Sequence, residues 1–114
     1  MAKKPKSYWN YRIVADFNNV EQEALRQWSF TIRDVYYTDE KPTSWGEEPQ
    51  YPTGENSQGV IEDLEYMSKA IYLPLLIEVG NELVEYPKKS AILINSSHLK
   101  KYEPKLMKDI IKRK

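Results

Sequence analysis

Between residues 8 and 17, hydrophobic side chains fall on every second position. Trp9, Tyr11, Ile13, Ala15 and Phe17 take one side; Tyr8, Asn10, Arg12, Val14 and Asp16 take the other. A period of two, rich in rings and β-branched residues, predicts a strand with one buried face. A polar connection with room for a short helical turn follows over residues 18–26. Residues 28–37 predict a second strand, with Trp28, Phe30 and Ile32 alternating against Ser29, Thr31 and Arg33. Its pattern slips afterwards, because Val35 falls on the Arg33 side. A bulge near Arg33 and Asp34 would repair the register, and burial of both faces would equally explain it. Residues 38–42 form a turn, and residues 43–45 suffice for a short third strand beside the second.

Helical periodicity appears next. After a capping pair, Asn56 and Ser57, the residues Val60, Ile61, Leu64, Met67 and Ile71 recur at the spacing of one helix face. Pro74 should end or kink that helix. Residues 75–86 read as a hairpin about Gly80-Asn81, a two-residue turn of the type II′ kind. The apolar run 91–94 predicts one more strand. Ser96 or Ser97 would then cap a final helix striped by Leu99, Tyr102, Leu106, Ile110 and Ile111, with Pro104 suited to a first helical position. The expected fold class is α+β: a small antiparallel sheet, β-β-β-α at its start, with one central amphipathic helix and a C-terminal helix. The 114 residues fit a single domain, 1–114, with its core at about 8–75 and a hairpin, strand and basic helical extension at about 75–114.

Composition narrows the chemistry. The absence of cysteine excludes disulfides, thiolate metal sites and thiol nucleophiles. The apolar run 71–77 is broken by Pro74 and is far shorter than the ~20 residues of a bilayer span. Residues 1–12 carry positive charge with no apolar stretch behind it, unlike a secretory signal. A cytoplasmic location and no membrane partner are expected. His98 is the one histidine and stands beside Ser96 and Ser97, but no glycines frame these serines as a nucleophile elbow would require. Glu62, Asp63 and Glu65 read as a solvated helix face, and the loop acids lack the alternating order of a calcium site. The four glycines stand apart from one another, so no phosphate-cradling loop is present. No catalytic residue, metal or cofactor is expected. A small hydrolase using loop carboxylates ranks third among the functional readings.

Charge is unevenly spread beneath a net value of zero. Residues 13–97 hold six bases against fifteen acids, while residues 1–12 and 98–114 are basic. Nine tyrosines and three tryptophans accompany only two phenylalanines. That bias favours rings with one wet end, used either to plug a small core or to anchor a partner. The acidic, proline-stiffened stretch after the second strand concentrates them, which makes Tyr36, Tyr37, Trp45, Glu47, Glu48 and Tyr51 the candidate partner-binding residues.

Five motifs carry a resemblance: W-N-Y-R-I-V at 9–14, F-T-I-R-D-V-Y-Y at 30–37, K-P-T-S-W at 41–45, P-x-x-P-T-G-E at 49–55 and D-L-E-Y-M at 63–67. Together they resemble a group of small uncharacterised bacterial and phage-borne proteins over about residues 8–75. The polar stretch 18–26 and the C-terminal extension depart from that pattern, and the resemblance implies no activity. The β-β-β-α order is also similar to the partial ribonuclease-H-like fold of HicB-type antitoxins, an analogy of element order. The leading expectation is a non-catalytic protein-binding module, an antitoxin or an inhibitor or component of a phage-defence system, meeting a partner with a basic surface. The alternative is nucleic-acid binding through the basic C-terminal helix, by Lys100, Lys101, Lys105, Lys108, Lys112 and Arg113.

Overall fold

A computed structural model describes residues 6–18 and 21–104. Strand β1 spans Ser7–Asn18 and pairs antiparallel with β2, Gln27–Thr38, in one unbroken register from Ser7 opposite Thr38 to Asn18 opposite Gln27. A 3₁₀ turn, Glu23–Leu25, lies in the connection between them. Strand β3, Lys41–Trp45, returns beside β2 after a tight turn in which Asp39 and Glu40 both take positive φ, at 51° and 70°. Positive φ at both central residues matches the right-handed strand twist, and aspartate tolerates it better than most residues. Helix α1, Ser57–Ser68, then crosses the sheet and continues as a 3₁₀ turn, Lys69–Tyr72. Strands β4, Leu76–Val79, and β5, Glu82–Glu85, complete a five-stranded sheet of order β3-β2-β1-β4-β5.

The sheet is mixed rather than antiparallel, because β4 runs parallel to β1, with Val14 opposite Leu76 and Ala15 opposite Ile77. The crossover through α1 brings the chain back in the direction of β1, which no local pattern records. The hairpin is therefore central to the core: Leu75, Leu76 and Ile77 are all fully buried. Gly80 supplies the positive φ of the β4–β5 turn, at 61°.

Both faces of the sheet are covered, and this accounts for the slip in β2. One face gathers Ala15, Trp28, Leu75, Ile77 and Leu99, with Ile13, Phe17, Ile94 and Tyr102 packed around them. The other gathers Val14, Val35, Tyr37 and Leu76, flanked by Trp45 and Leu83. No bulge occurs at Arg33 and Asp34 in the β1–β2 pair. The irregularity lies one strand over, where β2 meets β3 between Tyr36 and Tyr37. Trp45 and Leu83 come from opposite edge strands yet pack on one cluster, so the sheet curls until its edges face each other across a cleft of about 260 Å³.

Three other expectations are corrected. Helix α1 is rotated from the face that the apolar stripe predicts: Met67 is buried, but Ile61, Leu64 and Ile71 remain exposed. The inward side is shared with Asp63, whose carboxylate serves Tyr11 and Thr53. Residues 91–94 form no strand; the chain turns there, with Leu93 at φ 63°, and Ala91 N–H instead donates to Ile71 O at 3.1 Å. Where a final helix is expected, the described residues hold a seven-residue 3₁₀ segment, Ser96–Tyr102, capped by Asn95 rather than by a serine and closed by Glu103 in extended conformation. Its expected continuation through Leu106, Ile110 and Ile111 lies outside the described residues.

Candidate partner-binding surface

Where β3 stops, the loop 46–56 keeps following the edge of β2. Gly46 N–H donates to Asp34 O at 3.0 Å and Gln50 N–H to Ile32 O at 2.8 Å. Further on, Thr53 N–H donates to Asp63 Oδ2 at 2.9 Å, tying the loop to α1. Asn56 then caps α1 by accepting from Gly59 N–H at 2.9 Å. Gly54 lies directly on Gly59; a Cβ there would come within 2.5 Å of the Gly59 carbonyl carbon and the Val60 nitrogen. A segment without regular structure is thus fixed at several backbone points. Between two of them Tyr51 projects, 73% exposed.

The sheet divides the six residues singled out from sequence. Glu47, Glu48 and Tyr51 are exposed on the loop, and Tyr36 is exposed on the face of β2 beneath α1. Trp45 is half-buried and Tyr37 is 4% exposed, both on the opposite face. Tyr37 is a structural residue. Its hydroxyl accepts from Arg12 Nη1 at 2.8 Å and donates to Asn10 Oδ1 at 2.8 Å, and its ring stacks on Tyr8 with centroids 4.6 Å apart. Burial pushes its phenol pKa up, and the neighbouring Arg12 cation opposes the rise without cancelling it.

Arg12 and Arg33 are each only 6% exposed and face one another across β1 and β2. Arg33 reaches Gly46 O at 2.9 Å and Asp16 Oδ1 at 3.6 Å. Arg12 bonds to Tyr37 and to the Pro74 carbonyl, while its buried Nε has no acceptor. Neutral acceptors hold this guanidinium in place, so its fixation depends on them.

Tyr36 has companions that sequence reasoning missed. Trp9 lies 6.3 Å from Tyr36, 5.2 Å from Tyr11 and 5.7 Å from Tyr66 of α1, between ring centroids. Tyr11 and Tyr66 are 5.3 Å apart. Carboxylates border these rings: Tyr36 Oη donates to Asp34 Oδ2 at 2.9 Å, and Tyr11 Oη to Asp63 Oδ1 at 3.3 Å. The Tyr36 pKa is raised by its bond to Asp34. The Tyr11 pKa is raised by burial first and then by Asp63 and Asp34. The available signal was the placement of Trp9 and Tyr11 on the same side of β1; that Tyr66 comes to meet them depends on the rotation of α1.

Other candidate chemistry resolves into structure. His98 Nδ1 accepts from Asn95 N–H at 3.0 Å and completes a capping box. A cleft of about 480 Å³ between Phe17, Trp28, Ser96 and Lys100 contains one acid, Glu103, whose Oε2 accepts from Trp28 Nε1 at 3.4 Å. Among the described residues no three histidine or carboxylate side chains converge as a metal set, and no helix is long and apolar enough to cross a membrane. Lys100 and Lys101 are exposed, and Lys101 Nζ lies 5.1 Å from the Tyr102 ring centre. Lys105, Lys108, Lys112 and Arg113 fall outside the described residues. No protein-family model, no curated protein and no solved structure matches this chain.

Proposed function

We propose that this protein is a cytoplasmic, non-catalytic protein-binding module, an antitoxin or an inhibitor or component of a phage-defence system, whose acidic ring-rich surface meets a basic partner. The observation that carries this reading is the pinned loop. Backbone bonds at Gly46, Gln50 and Thr53 hold it, and Tyr51 stands exposed with Glu47 and Glu48 nearby in the chain. A loop already held in place loses little conformational freedom on binding, and tyrosine offers large contact area with few rotors. The acids would steer a basic surface toward it and disfavour acidic competitors. The β-β-β-α order of the fold supports the HicB-type analogy as far as element order goes.

A second reading draws on the exposed Lys100 and Lys101, which favour nucleic-acid contact at the C-terminal end. One set of experiments separates the two. Native-host extract is passed over the wild-type chain and over Tyr51→Ala and Glu47→Lys/Glu48→Lys variants, with mass spectrometry of the retained proteins. A protein kept by wild type and lost by both variants is the expected result; identical retention would refute the loop's role. In parallel, labelled single- and double-stranded DNA and RNA are titrated at low salt with the full chain, with its Lys100→Ala/Lys101→Ala variant and with a chain ending at Pro104. That endpoint leaves the fully buried Leu99 in place. Salt-sensitive binding lost with the lysine pair or with the truncation would put the nucleic-acid reading first.

A further inference from the structure

We propose that the cluster of Trp9, Tyr11, Tyr36 and Tyr66 is a cation platform that accepts an arginine side chain from the basic partner segment. This rests on the protein-binding reading and adds the chemistry of the contact. Trp9 and Tyr36 are each 43% exposed and Tyr66 is 37% exposed. Rings that only filled a core would be covered, as Tyr37 is. The pairs meet edge-on or tilted, with interplanar angles of 87°, 33°, 88° and 68°, so no two rings of the cluster lie stacked. Their π faces carry negative quadrupole potential, which attracts a cation within ~6 Å of a ring centre.

The rim reinforces that potential. Asp34 and Asp63 accept hydrogen bonds from the Tyr36 and Tyr11 hydroxyls, which makes those phenol rings more electron-rich, and both carboxylates act on Tyr11. The chain's own Lys69 already uses such a contact, with Nζ 5.8 Å from the Tyr66 ring centre. Arginine suits the platform better than lysine. Its planar guanidinium stacks on rings, sheds water more readily and keeps donors in its plane for a carboxylate. Nucleobases could stack on the same rings, but their phosphates would meet Asp34 and Asp63.

The test uses the full chain and labelled octa-arginine, octa-lysine and oligo-dT of matching length, followed by fluorescence anisotropy. Octa-arginine should bind several-fold more tightly than octa-lysine, and oligo-dT more weakly than either. Trp9→Leu and Tyr66→Leu should each weaken octa-arginine by up to about tenfold, whereas Tyr72→Leu, an exposed ring outside the cluster, should not. Circular dichroism and urea midpoints confirm that the variants fold. A wild-type measurement stands independently of them: the Trp9 indole N–H resonance should shift during the octa-arginine titration. An unmoved Trp9 resonance, equal affinity for octa-lysine, or tighter oligo-dT binding that shifts the same Trp9 resonance would overturn the proposal. The platform can fail in this way while Tyr51-dependent capture persists, and the loop can fail while Trp9 still responds, so the two readings are judged separately.

Discussion

Replacing Tyr37 with phenylalanine tests whether neutral acceptors hold the buried Arg12. The substitution preserves the ring, its stack on Tyr8 and its burial, and removes one oxygen. Arg12 Nη1 then loses its acceptor at 2.8 Å, while Nη2 keeps the Pro74 carbonyl. A hydrogen bond involving a charged group contributes about 1.5–3 kcal/mol, and the lost Tyr37-to-Asn10 bond about 0.5–1.5 kcal/mol. Removing a buried hydroxyl offsets some of this, because phenylalanine has no polar group to desolvate. A net loss of about 2–3 kcal/mol is expected, a large share of the ~5–15 kcal/mol that holds such a domain. With a urea m-value of about 1–3 kcal/mol/M, the midpoint should fall by about 1–2 M. Tyr36→Phe is the matched control: it too removes a bonded phenol hydroxyl, here one that donates to the Asp34 carboxylate, but on an exposed ring, and its midpoint should barely move. In an Arg12→Met background, Tyr37→Phe should cost much less, giving a coupling energy above ~1 kcal/mol. Equal midpoint shifts for Tyr37→Phe and Tyr36→Phe, or zero coupling to Arg12, would refute the reasoning.

Two shorter predictions follow from the same geometry. Gly54→Ala forces a Cβ to within 2.5 Å of the Gly59–Val60 backbone, so the loop should lift from α1. Hydrogen exchange at Thr53 N–H should accelerate, and Tm should fall; unchanged protection of that amide would count against the pinning. The raised pKa values of Tyr11 and Tyr37 make stability depend on pH at the alkaline end. The folded state holds those protons more tightly than the unfolded chain does, whose tyrosines titrate near pH 10. Their contribution is therefore complete below pH 10 and is lost as pH rises through the higher folded values. Urea midpoints across pH 8–11, with ultraviolet titration of the phenolate band, check this; midpoints that rise above pH 10 would contradict the sign.

Local patterns were sufficient where a residue's neighbours in sequence are also its neighbours in space. The strand character of β1, the hairpin at Gly80-Asn81 and the Asn56 cap depend on contacts a few residues apart, so they are legible in the chain. The single buried face expected of β1 is not found, because Arg12 and Val14 on its other side are buried as well. The α+β class follows from the switch between periods of two and 3.6. The rotation of α1 was not legible, because it is set across the crossover. Asp63 is drawn inward by the Tyr11 hydroxyl and the Thr53 amide, which leaves Ile61 and Leu64 outside despite their apolar spacing. Residues 91–94 are apolar enough for a strand, yet β5 already ends the pairing order; Ala91 and Ile94 pack against the core while Ile92 and Leu93 stay exposed.

The candidate surface divides along the same line. Composition alone established an acidic middle, an excess of tyrosine and tryptophan over phenylalanine, and an acidic loop carrying Tyr51, because these need only the residues and their order. Tertiary structure decided which rings are displayed. Tyr36 and Tyr37 are adjacent in sequence, but a strand's pleat sends them to opposite faces. One joins Trp9 and Tyr66 at the surface, while the other is buried against Arg12. Whether either face of β2 would be covered depended on the curl that brings Trp45 and Leu83 onto one cluster, and on the parallel entry of β4 beside β1. Both are pairings between residues tens of positions apart, whose free energy comes from burial shared across the whole sheet and leaves no periodic mark on any one segment.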